Sequence, residues 1–266
     1  MEVREFLFLP LDQRHFNFTV SAREKGLFAG AGFLRRMAAE LRLHVGWAAD
    51  DGFPLQDGTP VFAGSGGAEQ VAAAEETLLG GIGKPSGVAT AAAAFVRRSA
   101  GRARIVCGAW KKVWPAMRAD LRQAVAVGGA GIRIADEPFI YLDKNYVRMF
   151  GGIGPAVGRA KEFVPERLVV VQLRGETQSV GQEAHAAMEA GAGVLMIDTG
   201  NPADLREAVD AARQGGWRDL VKVAFAGGVT LDELPSIIAA GADIIDVGRA
   251  VIDAPMLDFR LDVGEE

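Results

Sequence analysis

Two glycine turns near the end of the chain have the residue types that bind phosphate. In the stretch KVAFAGGVTLDELPSIIAAGADIIDVGRA, one apolar run ends at Gly227-Gly228 and a second run ends at Gly248. Glycine lets backbone N–H groups approach an anion closely because it carries no side chain. If both runs are parallel strands, their turns lie side by side at one end of a sheet, where barrels commonly hold phosphate. The alternative is that these glycines only close tight turns.

A helix is predicted between the two turns. Thr230 and Glu233, three residues apart, have the sequence signature of a capping box. The apolar positions of this segment have helical spacing and predict its buried face: Leu231, Leu234, Ile237 and Ile238. Gly241 ends the helix, and the chain then returns as an apolar strand. Strand, helix and strand in this order form the repeating unit of a parallel barrel, which must position the turns.

Composition limits the kinds of partner. A chain of 266 residues is long enough for one large α/β domain, or for a barrel with a smaller companion. The net charge of -5 and the pI of about 5.4 argue against nucleic acid and membrane surfaces as partners. The chain opens without the features of a signal peptide, and no apolar run reaches the ~18 residues of a membrane span. We expect a soluble cytoplasmic protein that binds a small phosphorylated substrate.

Cysteine and histidine chemistry is not indicated. The single cysteine, Cys107, excludes an internal disulfide, and its apolar neighbours favour a packed thiol over a nucleophile. The three histidines, His15, His44 and His185, have no metal-ligand spacing.

The pattern of apolar runs predicts two α/β domains. Residues 1–100 mix short apolar runs with helices at about Gly32–Leu43, at Gly67–Gly83 and after Ser86-Gly87, which is typical of an α+β unit. Residues 101–254 alternate short β-branched runs with helical segments, as in a parallel sheet. Six or seven strands are expected there, which favours an incomplete TIM-like (β/α) barrel over an open sheet. The alternating tail, 255–266, is expected to pack back on the first domain.

Several blocks of the sequence, in this order, resemble the quinolinate phosphoribosyltransferase family over nearly the whole chain: REKGLFAG, DDGFPLQDGTPV, PSGVAT, the segment ending at Asp198, AGGVTLDEL and VGRAVIDAPMLDFRLDV. The resemblance implies an N-terminal open α/β sandwich, a barrel with fewer than eight strands, and a homodimer or higher homo-oligomer with shared sites. It also implies the family's reaction, in which quinolinate, 5-phosphoribosyl diphosphate and Mg²⁺ give nicotinate mononucleotide, CO₂ and diphosphate.

The resemblance implies roles for the residues of the phosphate and metal side. Gly227, Gly228 and Gly248, with Arg249 beside them, match the phosphate grip. Asp198 matches a catalytic aspartate on the metal side, with an indirect role toward Mg²⁺; its alternative is a helix N-cap or turn residue before Asn201-Pro202. Gln172 stands where the family has a second metal-side glutamate, so one negative charge is lost.

The acceptor pocket departs further from the resembled family. Lys111 and Lys112 keep two cations of a basic strand end, and Lys112 is the candidate catalytic cation, while Arg133 is the other expected carboxylate ligand. The turn Asp143-Lys144 replaces a KDNH-like turn, and Ala93-Ala94 replace arginines, which alanine cannot imitate. Trp110 and Trp114 either stack on a flat ring or pack structurally. Lys111, Arg133, Asp143, Lys144 and Gln172 are the predicted substrate-binding residues.

We therefore interpret the chain as a phosphoribosyltransferase-family enzyme with a remodelled acceptor pocket that serves a substrate other than quinolinate. One alternative is a lyase or isomerase acting on a phosphorylated small molecule, with Lys112 or Lys144 as an amine catalyst. Another is a ligand-binding relative without catalysis.

Overall fold

The structure is a computed structural model that describes residues 3–176 and 178–264. The chain divides into two compact units. The first comprises the described residues up to 93, residues 110–129 and the described residues from 251 on; the second comprises residues 94–109 and 130–250. The sequence had placed 110–129 in the barrel domain. No helix in the described ranges is both long and apolar enough to cross a membrane.

Helices and strands follow one another along the whole described chain. Up to residue 99 they are α1 (Val3–Phe8), β1 (His15–Ala22), β2 (Gly26–Leu27), α2 (Ala31–Glu40), β3 (His44–Ala48), β4 (Pro54–Leu55), β5 (Pro60–Gly67) and α3 (Ala68–Ser99). From residue 104 on they are β6 (Arg104–Val106), α4 (Arg118–Val127), β7 (Phe139–Leu142), α5 (Lys144–Met149), α6 (Ile153–Phe163), β8 (Leu168–Leu173), α7 (Val180–Glu189), β9 (Val194–Ile197), α8 (Pro202–Gln214), β10 (Lys222–Ala226), α9 (Leu234–Ala239), β11 (Ile244–Asp246), α10 (Arg249–Ile252) and β12 (Phe259–Val263). Short 3-10 helices lie at Leu9–Leu11, Ala109–Lys112 and Pro115–Met117.

The first unit is built on a four-stranded sheet with the order β12-β1-β5-β3. All of its pairs are antiparallel, and the tail strand β12 pairs with β1 so that Val263 lies opposite Phe18. Phe18 of β1 and Phe62 of β5 are buried with ring centroids 5.5 Å apart. They share one core with Leu34 of α2 and Leu78 of α3. Burying each such side chain contributes about 1.5–3 kcal/mol, so this core holds sheet and helices together.

Helix α3 is longer than the sequence indicated, because it continues through Pro85 where two separate helices were expected. Proline inside a helix costs about 3 kcal/mol or more, so other contacts must offset it. The buried hydroxyl of Ser86 accepts a hydrogen bond from the Ala29 N–H at 3.0 Å and donates to the Ala29 carbonyl at 3.2 Å. Helix α2 also differs from the predicted Gly32–Leu43: it ends at Glu40 because Arg42 takes a left-handed φ of 55°.

The second unit contains a six-stranded parallel sheet with the order β6-β11-β10-β9-β8-β7. One face of this sheet surrounds a core to which every strand contributes; its residues include Val106, Val170, Val194, Met196, Ala224 and Ile244, with Phe139 and Tyr141 packed against them. Residues of the opposite face, such as Val171, Ile197 and Phe225, are buried as well. Strands buried on both faces read as continuous apolar runs, which explains why the sequence showed them clearly.

The predicted fold class is confirmed, with one change among the strands. The segment Gly131–Ala135, which would have been the seventh strand, makes only a single bridge, from Gly131 to Val106. Its residues Ile134 and Ala135 instead fill the core of the second unit. The sheet therefore has the lower of the two strand numbers that the sequence allowed.

Candidate functional site

Two carboxylates lie at the carboxyl ends of strands β9 and β11 in the second unit. Met196 and Ile244 face the core, and side chains of a strand alternate between faces, so Asp198 and Asp246 face the same way two residues later. Strand β10 lies between β9 and β11, with Ala226 level with Asp246. The two carboxylates thus flank β10 across two strand spacings, about 10 Å between backbones.

Gln172 and Arg174 hold Asp198. The side-chain amide of Gln172, which is buried, donates to Asp198 Oδ2 at 2.5 Å and accepts the Lys144 N–H on Oε1 at 2.7 Å. Arg174 Nη1 donates to the Asp198 carbonyl at 2.6 Å and lies 3.7 Å from Oδ2. These partners replace part of the hydration that a half-buried carboxylate loses. The cap alternative for Asp198 is wrong, because Asn201 caps α8 by accepting the Ala203 N–H at 3.0 Å.

Glu183, which sequence reasoning missed, supports the loop that carries Arg174. Its side chain is buried and accepts the backbone N–H groups of Arg174, Gly175 and Glu176 at 2.8, 2.9 and 3.3 Å. These bonds replace the water that a buried carboxylate has lost. The sequence contained one signal for Glu183: it shares the apolar face of α7 with Val180 and other buried residues.

Tyr141 and Asp246 were also missed by sequence reasoning. Tyr141 of β7 packs against the inner core, and burial first, then the charges of Asp198, Asp246 and Asp143, raise the pKa of its phenol. Tyr141 is therefore a neutral hydroxyl at neutral pH.

Asp246 Oδ1 accepts the N–H of Gly108 at 3.1 Å. Its signal was an isolated aspartate in the apolar run DIIDV. We call Tyr141, Gln172, Asp198 and Asp246 the strand-end site.

The glycine turns lie at the same end of neighbouring parallel strands, β10 and β11, as expected. Gly227 and Gly228 have left-handed φ values of 115° and 76°, and a Cβ on Gly227 would lie 2.4 Å from the Gly200 nitrogen. A Cβ on Gly228 would meet nothing within 4 Å, and one on Gly248 would come no closer than 3.8 Å to Ala109. Open space beside both turns leaves their backbone accessible to an anion. Arg249 is exposed at the first position of α10.

The reciprocal hydrogen bonds predicted for Thr230 and Glu233 form, but they close the turn before α9; the helix itself begins one residue after Glu233 and has no side-chain cap. Glu233 Oε2 accepts the Thr230 N–H at 3.1 Å, and Thr230 Oγ1 accepts the Glu233 N–H at 3.3 Å. Leu234 and Ile237 are buried, as expected of the apolar face. Leu231 is exposed instead, because it lies in the turn before the helix begins.

The remaining predicted substrate residues are not part of the strand-end site. Lys111 and Lys112 are exposed in the first unit, and Arg133 is exposed in a bend of the second. Asp143 caps α5 by accepting the N–H groups of Asn145 and Tyr146 at 2.8 and 3.1 Å. Lys144 is half-buried and touches Gln172 through its backbone. Their roles toward a substrate stay predictions.

The two candidate aromatic platforms have different surroundings. Trp110 is half-buried, with the Arg122 guanidinium 5.3 Å from its ring centre, while Trp114 is 74% exposed. Cys107 is buried with its Sγ 4.0 Å from the Gly248 carbonyl, so it is a packed thiol.

The strand-end site suits a magnesium ion that arrives with a phosphorylated substrate. Mg²⁺ usually keeps several waters and takes one or two carboxylates together with phosphate oxygens. Asp198 and Asp246 provide two carboxylates, and no group of three or more His, Cys, Asp or Glu suited to a metal occurs within residues 3–176 and 178–264. The side chains thus fit a metal held mainly by the ligand's own oxygens.

Comparison with known proteins shows matches over nearly the whole chain. The family model described as "Quinolinate phosphoribosyl transferase, C-terminal domain" matches residues 88–262, and the model of the N-terminal domain matches residues 5–86. The nicotinate-nucleotide pyrophosphorylase [carboxylating] of Homo sapiens is 32% identical over 243 residues, which are 90% of this chain and 80% of the relative. A probable enzyme of the same name from Methanothermobacter thermautotrophicus is 28% identical over 92% of this chain and 87% of the relative.

Solved structures show the same fold. The nicotinate-nucleotide pyrophosphorylase from Francisella tularensis has a TM-score of 0.80 at 24% identity, covering 94% of this chain and 86% of that one. The protein of the same name from Ehrlichia chaffeensis has a TM-score of 0.83 at 18% identity, covering 96% and 90%.

Proposed function

Because the chain belongs to the quinolinate phosphoribosyltransferase family, we propose that it transfers the phosphoribosyl group of 5-phosphoribosyl diphosphate to a small acceptor base. One observation carries this proposal: Asp198 and Asp246 flank the strand that leads into the Gly227-Gly228 turn. Carboxylates beside an open backbone turn suit a ligand that is a phosphate at one end and becomes cationic at the other.

The proposed reaction exchanges one bond for another at the ribose C1. The C1–oxygen bond breaks, its electron pair leaves with diphosphate, and the acceptor nitrogen forms the new bond to C1. The backbone donors at Gly227-Gly228 and Gly248, with Arg249, would hold the 5′-phosphate. Asp198, kept in place by Gln172 and Arg174, would face the cationic ribosyl centre and stabilise it electrostatically. Mg²⁺, when bound, supplies positive charge to the departing diphosphate.

We further propose that this chain uses quinolinate poorly. The description of the matching family model names quinolinate, which is therefore the reference acceptor, and the residues of this chain argue for slow use of it. Ala93 and Ala94 carry no charge where the resemblance implies arginines. The carboxylate of Asp143 is already hydrogen-bonded as the N-cap of a helix. Each lost charge-assisted hydrogen bond costs about 1.5–3 kcal/mol of substrate binding. The neutral phenol of Tyr141 does not replace a cation.

The test measures diphosphate release from 5-phosphoribosyl diphosphate and Mg²⁺ with quinolinate and with a panel of pyridine carboxylates and other heterocyclic bases. We expect release with at least one acceptor and turnover with quinolinate well below about 1 s⁻¹, the lower end of ordinary enzyme rates. Quinolinate turnover near that rate, abolished by Lys112→Ala, would restore the plain family reaction. No release with any acceptor, together with no binding of 5-phosphoribosyl diphosphate by calorimetry, would contradict transfer itself.

A further inference from the structure

A second polar region of the second unit lies beside the strand-end site, and the proposed reaction places no substrate in it. It is a cavity of about 260 Å³ between helix α5, the turn before α6 and the loop after β8. Three cations line it, namely Lys144, Arg148 and Arg174, and we call it the three-cation pocket. Val147 and the Gly151-Gly152 turn add uncharged wall. Gln172 lines the pocket on one side and bonds to Asp198, so pocket and strand-end site are neighbours.

The chain's own carboxylate, Glu176, lies where these cations converge. Arg148 donates to it twice, with Nε 2.9 Å from Oε2 and Nη2 2.6 Å from Oε1. Arg174 Nε is 3.8 Å from Oε1. The pKa of Glu176 lies below its ordinary value, chiefly because Arg148 hydrogen-bonds to it, and Arg174 and Lys144 add further attraction. The cations of the pocket therefore have the arrangement that binds a carboxylate, because they already bind that of Glu176.

The other carboxylate of the pocket, Glu183, does not compete for these cations. It is buried, and its two oxygens accept three backbone N–H groups of the loop that follows β8. Glu176, by contrast, keeps about a third of its side chain exposed at 35%. Within the pocket lining, Glu176 is thus the carboxylate that an incoming anion can displace.

We propose that the three-cation pocket binds a small organic carboxylate, which displaces the Glu176 side chain and takes over its contacts with Arg148 and Arg174. Guanidinium groups bind planar carboxylates through two parallel hydrogen bonds, so one carboxylate replaces another without a change of geometry. Val147 and the glycine turn give an uncharged wall against which a single ring or short alkyl body packs. The ligand is therefore a single-ring or short-chain monocarboxylic acid.

Occupation of this pocket would reach Asp198 through Arg174. The same guanidinium that faces Glu176 also donates to the Asp198 carbonyl at 2.6 Å. A ligand that takes over the contact of Arg174 with Glu176 would therefore touch a side chain that also holds Asp198. Because the inference concerns binding, it stands or falls independently of phosphoribosyl transfer.

The experiment is calorimetry on the full-length protein with benzoate, acetate and inorganic phosphate as separate probes. We expect saturable benzoate binding that tightens at least about fivefold in Glu176→Gln, because that variant loses its internal competitor. Arg148→Gln removes the two-bond contact and should weaken binding at least about tenfold. The matched control is Arg159→Gln on α6, an exposed arginine paired with Glu162, which should bind benzoate as the wild type does.

A cavity-filling variant, Val147→Phe, keeps every charge and should abolish benzoate binding while circular dichroism shows the wild-type fold. The proposal is overturned if neither the wild type nor Glu176→Gln binds benzoate saturably, or if Arg148→Gln and Arg159→Gln weaken it equally. Phosphate binding more tightly than benzoate would overturn the assignment to carboxylates.

Discussion

The amide of Gln172 gives Asp198 a hydrogen-bond donor that a second carboxylate at this position would not provide. A glutamate at residue 172 would place like charges within hydrogen-bond distance, and one of the two would then hold a proton. With glutamine the Oδ2 atom of Asp198 is bonded at 2.5 Å and Arg174 adds a positive charge 3.7 Å away. Asp198 is therefore both hydrogen-bonded and close to a cation although the site has one acidic residue fewer than the resembled family.

Replacing Asp198 by asparagine tests this carboxylate. Asp198→Asn keeps the size of the side chain but removes its charge, so kcat/KM for 5-phosphoribosyl diphosphate should fall roughly 10²-fold, a typical loss for one electrostatic group of an active site. Steady-state diphosphate release with the best acceptor of the panel measures it. The control is Asp210→Asn on α8, an exposed aspartate paired with Arg213, which should leave the rate unchanged. Equal rates in the wild type, Asp198→Asn and Asp210→Asn would contradict a role for Asp198 in the reaction.

The glycines of helix α3 differ in what surrounds them. A Cβ on Gly87 would lie 1.9 Å from the Pro255 carbonyl oxygen, and one on Gly81 would lie 1.9 Å from the ring of Phe33. A Cβ on Gly80 would meet nothing within 4 Å. The first two glycines thus allow close packing within the first unit, while Gly80 only adds backbone freedom.

Two alanine substitutions in this helix should therefore change stability in opposite directions. Gly80→Ala should raise the free energy of unfolding by about 0.5–1 kcal/mol, since alanine favours a helix and meets no neighbour. Gly87→Ala should lower it by about 1–3 kcal/mol, because a backbone oxygen must move to admit the methyl group. Urea unfolding midpoints at constant m value compare the two. A gain in stability for both would mean that the contact with Pro255 is loose.

The surface of the first unit carries several exposed apolar side chains. Val45 and Trp47 of the edge strand β3 are 42% and 43% exposed, and Phe53 lies next to Trp47 with ring centroids 5.9 Å apart. Contiguous exposed apolar surface commonly marks a contact between proteins. Closed symmetric dimers are the most frequent way to cover it.

We accordingly predict a homodimer. Light scattering at micromolar concentration should give about twice the chain mass of 28.1 kDa. Trp47→Asp should shift the mass toward that of one chain if β3 is at the interface, whereas Phe163→Asp, an exposed residue of α6 in the second unit, should not. A clean monomer mass for the wild type would contradict the prediction.

The sequence by itself determined the fold class and the end of the parallel sheet at which the candidate residues lie. Parallel strands buried on both faces are continuous apolar runs, and polar residues at their carboxyl ends, such as Gln172 and Asp198, must meet at one end of the sheet. The two glycine turns were found in the same way, because a glycine after an apolar run is a local signal.

Only the tertiary structure decided which of these residues touch each other. The contact of Arg174 with Asp198 and the inward direction of Tyr141 depend on how neighbouring strands align across helical crossovers. The continuity of α3 depends on Ser86 meeting Ala29, 57 residues away. Such contacts join segments that are far apart in the chain, so no periodicity or spacing within one segment contains them.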